Sequence, residues 1–247
     1  MRITRASTLL LASSWLVCLS AQAEIQSECL QVEQRFAAND IETLQSLELK
    51  QPRWQALQQF RLAAAYIPAD QRKAAGNAIR AGLRVVAAQL KEEPDNVELL
   101  IFGAMLDGQY LLLQPWRFVW NGRRGLQRIS RAEELDAGNP RIALVRGTAK
   151  FILPRFLGGS AQEAQEIFAA ALAQPRATGT PYVASALCQN GEWGQVDILN
   201  WLARAYAKQD EQELAHDTFV RAAEYSPGNY WVELALKGEG YEWTPNE

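Results

Sequence analysis

The sequence predicts an all-α protein made of about four stacked helix pairs, with a short capping helix at the C-terminal end. Three observations predict this class. Runs of alternating Val, Ile and Thr bounded by turn residues, which are typical of strands, are absent. Ala, Leu, Gln and Glu, which favour helices, dominate the chain. Apolar and small residues recur with helical spacing in paired segments, and neighbouring pairs must supply the core because one pair cannot bury its apolar face alone.

The chain begins with the three parts of a secretory signal peptide. Two arginines precede the apolar run Leu9–Leu19, and small residues follow at Ala21 and Ala23. The run is shorter than the ~20 residues of a membrane span, and the valine before Cys18 does not suit lipid attachment. We therefore expect residues 1–23 to be cleaved after Ala23, leaving a periplasmic protein with no membrane span.

Residues 24–94 form a predicted N-terminal helical region with a divergent helix pair. A short entry helix around Cys29–Phe36 ends where Ala38-Asn39-Asp40 favours a turn. After Pro52 a first helix is predicted, and a long second helix follows it. The apolar positions of this pair are Trp54, Leu57, Phe60 and Ala64, then Ala75, Ile79, Val86 and Leu90.

Residues 95–237 carry the more regular pairs and the capping helix. The last pair, from Gln195 to Gly228, is the clearest, because Ala203 and Ala215 supply the small residues that let two helices cross closely. Its apolar faces are Leu199, Leu202, Ala203 and Tyr206, then Ala215, Phe219 and Ala222. A short helix over Tyr230–Lys237 is predicted to cap the stack, and residues 238–247 form a tail.

The two earlier pairs repeat this pattern less regularly. One has a small residue at Gly147, and its second helix carries Ala164, Phe168 and Ala171. An insert, Leu153–Gly159, separates the two helices. Its proline breaks the helix and its glycines permit positive φ, so we interpret it as a turn, with a functional lip as the alternative. The other pair has Leu99, Phe102, Gly103 and Leu106, then Leu126, Ile129 and Ala132.

The segment Gln195–Gly228 resembles a tetratricopeptide repeat (TPR) at nearly every signature position, with Leu199 where the pattern has a large aromatic residue. The resemblance implies a TPR-like α-solenoid. A wider set of positions resembles exported bacterial TPR proteins related to the T component of TRAP transporters. Those positions are Asn139-Pro140-Arg141, Gly147, Pro154, Gly158-Gly159, Trp193-Gly194, Pro227 and Trp231.

The likeness to that family runs from about Asp95 onward. It implies a helical, extracytoplasmic, non-enzymatic protein that works beside a solute-binding protein. It transfers no ligand-binding residue, because the matching positions are structural ones.

The composition excludes several kinds of chemistry. His216 is the one histidine, so no site can use two imidazoles, and we expect it on the surface of a second helix. The net charge of -3 does not favour nucleic-acid binding. Neighbouring acids such as Glu92-Glu93 and Glu133-Glu134 point to different sides of a helix. We therefore expect no enzyme, no cofactor and no metal.

The connection between residues 114 and 125 is the most unusual segment. Three aromatics and three arginines alternate there, which suits an anionic ligand or an acidic partner. The alternative is that the aromatics fill the joint between helix pairs and the arginines are solvated. The candidate binding residues are Trp116, Arg117, Trp120, Arg123 and Arg124.

A second set of candidates follows from the concave face of a TPR array, which first helices form. By their offset from the small residues, the concave positions are Leu100, Ala104, Leu144, Thr148, Asn200, Arg204 and Lys208. We predict partner binding at Asn200, Arg204 and Lys208, since this mixed surface suits a peptide or helix. The predicted function is a scaffold for a protein or peptide partner. The alternative is an accessory subunit of a TRAP-type transporter that contacts the solute-binding protein or the solute, and the oligomeric state is open.

Cys29 and Cys188 remain after signal cleavage. About three helix pairs separate them, and stacked pairs advance by roughly 8–10 Å per layer. A disulfide needs Cα atoms within ~7 Å. We therefore expect that these two cysteines are not bonded to each other, in which case each acts as a small buried hydrophobic residue.

Overall fold

The computed structural model describes residues 27–114, 121–173 and 194–238, and these residues form helices and turns without any strand. This confirms the predicted all-α class. The helices are α1 (27–37), α2 (Ile41–Ser46), α3 (Pro52–Tyr66), α4 (Arg72–Glu92), α5 (Val97–Leu113), α6 (Arg123–Leu135), α7 (Pro140–Ile152), α8 (Ala161–Ala173), α9 (Gln195–Ala207), α10 (Gln212–Tyr225) and α11 (Tyr230–Leu236). A 3₁₀ turn, Arg155–Leu157, lies between α7 and α8.

Side-chain caps fix several helix starts. The carboxylate of Asp40 accepts from the Thr43 N–H at the start of α2. Asn96, Asn139 and Asn229 do the same for α5, α7 and α11. Such caps satisfy N–H groups that have no partner within the helix. The short helix α2, which the sequence analysis did not predict, begins at one of these caps.

The helices from α3 to α10 pack in a regular order. Each contacts the next in the chain, and α3, α5, α7 and α9 also contact one another in sequence. The helices α4, α6, α8 and α10 therefore form an outer row around them. The helix α5 is apolar on almost every side, and it lies among α3, α4, α6 and α7. For this reason Leu100 and Ala104, predicted on an open face, are instead buried. Leu144 of α7, also predicted there, is buried in a cluster with Phe168 of α8 and Leu202 of α9.

Small residues lie where paired helices touch. Gly147 on α7 faces the ring of Phe168 on α8, which occupies the space a side chain would need. Ala203 and Ala215 are both buried at the α9–α10 contact. Between α7 and α8, Gly158 has a φ of 87° in the left-handed region that favours glycine. The insert thus has the backbone of a turn.

The two ends of the described chain contact each other, which the sequence analysis did not anticipate. The ring of Phe36 on α1 stacks on that of Trp231 on α11 with centroids 5.3 Å apart. The indole N–H of Trp231 donates to the Phe36 carbonyl oxygen at 2.9 Å. The Glu28 carboxylate of α1 also accepts from the backbone N–H groups of Lys50 and Gln51, ahead of α3. Helix α1 therefore contacts both the segment ahead of α3 and the last helix, α11.

Cys29 takes part in a disulfide, so the expectation that it is a thiol is wrong. Cys188 and Cys18 lie outside the described residues. The expectation assumed that the stack is extended. In the structure Gly194, which begins the last described stretch, lines the same small cavity as Glu33 of α1. The contact between α1 and α11 shows that the ends of the described chain are close to each other, contrary to that assumption.

No helix in the three described stretches is both long and apolar enough to cross a membrane.

Candidate partner-binding surfaces

The structure describes part of the arginine and aromatic segment. Trp116, Arg117 and Trp120 lie outside the described residues. Arg123 and Arg124 begin α6, and both are exposed. Thus the end of the predicted connection belongs to a helix that packs on α5.

The Arg124 guanidinium pairs with the carboxylate of Asp107, which is fully buried on α5. The Nε of Arg124 lies 3.1 Å from each oxygen of Asp107. Arg128, one turn further on, reaches the second oxygen at 2.6 Å and the Gly103 carbonyl oxygen at 3.2 Å. We name Asp107, Arg124 and Arg128 the α5–α6 triad. The two arginines compensate the buried negative charge of Asp107 between α5 and α6.

The two arginines of this triad respond differently to their surroundings. The hydrogen bond that Arg124 donates to the Asp107 carboxylate raises the pKa of Arg124 above its ordinary value. Burial lowers the pKa of Arg128, despite the attraction of the same carboxylate. Both are cationic at neutral pH. Asp107 was missed as a functional position, although an acid inside the apolar run of α5 was a visible signal.

The candidates on α9 occupy successive turns of that helix. Arg204 places its guanidinium 5.2 Å from the ring centroid of Trp201. Lys208 places its Nζ 4.5 Å from the ring centroid of Phe151 on α7, and donates to the Phe151 carbonyl oxygen at 3.1 Å. The two rings meet edge to face, with centroids 5.4 Å apart. We name Phe151, Trp201, Arg204 and Lys208 the aromatic–cation cluster.

This cluster combines two half-buried rings with the half-buried Arg204 and the exposed Lys208. A cation on an aromatic face is stabilised by the ring quadrupole. A stacked guanidinium keeps its N–H donors in its own plane, and the exposed Lys208 ammonium can pair with a carboxylate. The arrangement can therefore bind an extended peptide that offers both an apolar side chain and a carboxylate.

Asn200 lies one turn earlier on α9 and belongs to different surroundings. It lines a cavity of about 20 Å³ together with residues of α1, α3 and the chain around α11. That volume is close to the space that one water needs, so a larger ligand does not fit. The Asn200 Oδ1 is buried and accepts no hydrogen bond from the described residues. The structure thus separates Asn200 from the aromatic–cation cluster.

The wall of this cavity contains a second buried charge cluster. Arg61 of α3 donates through Nε and Nη2 to the two Glu33 carboxylate oxygens of α1, both at 2.9 Å. The same guanidinium donates to the Asp197 carboxylate of α9 at 2.8 and 2.7 Å. The rings of Phe36 and Phe60 lie 4.6 and 5.3 Å from it. We name Arg61, Glu33 and Asp197 the closure triad.

Burial and charge act against each other in the closure triad. Burial alone would lower the pKa of Arg61, but Asp197 and Glu33 outweigh it and raise that pKa. Burial raises the pKa of Glu33 above its ordinary value, although Arg61 lies beside it. The sequence offered no signal for this triad, because Arg61 and Asp197 are separated by 136 residues.

No group of three His, Cys, Asp or Glu side chains that could hold a metal ion occurs within residues 27–114, 121–173 and 194–238. His216 is exposed, as the sequence predicts for a surface position, and its Nδ1 lies 3.9 Å from Asp217. Comparison of the chain with family models, curated proteins and solved structures found no match.

Proposed function

We propose that this protein is an exported, non-enzymatic scaffold of the TPR type, which binds a peptide segment of a partner protein at the edge formed by α7 and α9. The observation that carries the proposal is the aromatic–cation cluster. Two aromatic rings and two cations lie together there at the ends of α7 and α9, and the Lys208 side chain is exposed.

The packing order of the helices supports the TPR part of the proposal. Helices pair as α3 with α4, α5 with α6, α7 with α8 and α9 with α10, and each pair contacts the next. Gly147, Ala203 and Ala215 lie at helix contacts, as the repeat pattern requires of small residues. Repeats of this kind expose one long surface for partners.

The position of the closure triad helps to identify the part of that surface that a partner can reach. Contacts among α1, α3, α9 and α11 occupy the beginning of α9 and leave a cavity too small for a peptide. Arg204 and Lys208 lie toward the other end of α9, beside the end of α7. We therefore assign partner binding to the aromatic–cation cluster rather than to Asn200.

The experiment compares partner capture by matched variants. Immobilised wild-type protein, Arg204→Glu with Lys208→Glu, and the control Arg155→Glu with Arg221→Glu are exposed to periplasmic extract. Both control arginines are exposed and lie outside the cluster. A partner that wild type and control retain is then purified, and its dissociation constant is measured by calorimetry.

We expect the Arg204 and Lys208 variant to weaken binding by about tenfold or more, which corresponds to ~1.4 kcal/mol. Added salt should weaken wild-type binding as well, because the cations are partly exposed. Equal affinity of the two double variants would refute the assignment. A solute-binding protein as the captured partner would point to the transport accessory role.

A further inference from the structure

The outer helix α4 carries a charge distribution unlike that of the whole chain. It contains five basic residues and a single acid, Glu92, which is its last residue. The whole chain has a net charge of -3. Every position from Arg72 to Lys91 is free of carboxylates, so the helix itself supplies no opposite charge along that length. The cationic character of α4 is thus local and continuous.

Four of the basic side chains share the exposed side of the helix with Asn77. They follow one another at spacings that keep them near one face. We name this set the α4 basic face: Lys73, Asn77, Arg80, Arg84 and Lys91, all exposed.

The middle of this face has a defined shape. The Arg80 Nη2 donates to the Asn77 Oδ1 at 2.6 Å, which holds the guanidinium in place. Gly76 makes room for it, since the position a Cβ would take lies 3.3 Å from the Arg80 Nη1. A shallow depression of about 430 Å³ is lined by Asn77, Arg80, Leu83 and Arg84. The face therefore offers two guanidinium groups beside one apolar side chain.

Two arginines four residues apart repel each other and destabilise a helix by a few tenths of a kcal/mol. In the α5–α6 triad and the closure triad, by comparison, arginines pair with carboxylates of neighbouring helices. By contrast, none of the four α4 cations forms an ion pair with another residue of the described stretches. Opposite charge would have to come from outside these stretches.

We propose that the α4 basic face docks an acidic helix of a partner protein, whose carboxylates pair with Arg80 and Arg84. Arginine forks bind carboxylates in bidentate geometry. A membrane-surface helix needs large apolar side chains in its exposed face. Between Arg84 and Lys91 the exposed positions are instead the small Ala87 and Ala88. This surface lies on α4 and is separate from the aromatic–cation cluster on α7 and α9.

The probe is a fluorescein-labelled peptide designed as a helix with glutamates four residues apart and one leucine on the same side. Its binding to the full chain is followed by fluorescence anisotropy at low and at physiological salt. Five proteins are compared: wild type, Arg80→Glu with Arg84→Glu, Arg80→Gln with Arg84→Gln, the control Arg155→Glu with Arg221→Glu, and Arg204→Glu with Lys208→Glu. The glutamine variant keeps the test valid if charge reversal disturbs folding.

We expect saturable wild-type binding that falls with salt, about tenfold weaker binding by the glutamate variant, and an intermediate effect of glutamine. The control Arg155→Glu with Arg221→Glu should match wild type. A loss of binding confined to Arg204→Glu with Lys208→Glu would place the probe at the aromatic–cation cluster and would overturn this proposal while leaving the proposed function standing. Equal binding by all variants, or absence of saturable binding, would overturn the proposal. So would binding of phosphatidylglycerol vesicles without binding of the peptide, or self-association that the Arg80 and Arg84 variants abolish.

Discussion

The closure triad and the α5–α6 triad have opposite arrangements of charge. In the closure triad one cation, Arg61, lies between two carboxylates. In the α5–α6 triad one carboxylate, Asp107, lies between two guanidinium groups. The first connects helices from the two ends of the described chain, and the second connects neighbouring helices.

The two triads also differ in how far their arginine side chains are exposed to solvent. The Arg61 side chain is 3% exposed, whereas that of Arg124 is 46% exposed. If its partner is lost, Arg124 can turn toward water, but Arg61 and Glu33 cannot without opening the contact between α1, α3 and α9. We therefore expect the contact between α5 and α6 to tolerate the loss of an ion pair better than the contact among α1, α3 and α9 does.

The largest effect is expected from Arg61→Met. Removal of one member of a buried ion pair leaves uncompensated charge and typically costs ~3–5 kcal/mol. Equilibrium urea denaturation measures this loss, with Arg221→Met at an exposed site as the matched control. A loss no larger than that of the control would show that the closure triad contributes nothing.

Asp107→Asn sharpens the comparison. We expect a smaller loss of ~1–3 kcal/mol, because one charged hydrogen-bond acceptor is replaced while Arg124 relaxes into solvent. Addition of Arg124→Met to this variant should cost little more. A loss greater than that of Arg61→Met, in the same urea experiment, would reverse our ranking of the two triads.

A helix contact without charge provides the reference for both triads. Ala203→Trp or Ala215→Trp should destabilise by ~1–3 kcal/mol or more, because each position is buried between α9 and α10. His216→Ala, on the exposed side of α10, should leave stability unchanged. Thermal unfolding of the three variants gives the answer, and identical melting temperatures would contradict the position of this helix pair.

The smallest effect concerns pH. Because burial raises the Glu33 pKa above 4.5, the folded protein binds this proton more tightly than the unfolded chain does. That contribution to stability is present below pH 4.5 and is lost as the pH rises through the raised pKa. The stability of wild type relative to Glu33→Gln should therefore decrease across this window. An increase would show that Arg61 dominates and lowers the Glu33 pKa.

Much of the fold followed from short-range patterns. The spacing of Trp54, Leu57 and Phe60 predicted α3, and that of Ala203 and Ala215 predicted the α9–α10 contact. Asp107 could have been noticed as a charge inside an apolar helix. The closure triad could not have been predicted, because nothing in a single sequence relates Glu33 or Arg61 to Asp197 across the intervening helices.

A double-mutant cycle between Arg61 and Asp197 is the most direct test of the central claim. That claim is that the closure triad holds the two ends of the described chain in contact. Free energies of unfolding are measured for wild type, Arg61→Met, Asp197→Asn and the double variant. Direct contact predicts a coupling energy of ~1–3 kcal/mol. Additivity of the two single effects within ~0.5 kcal/mol would mean that the residues do not interact, and would contradict the closure.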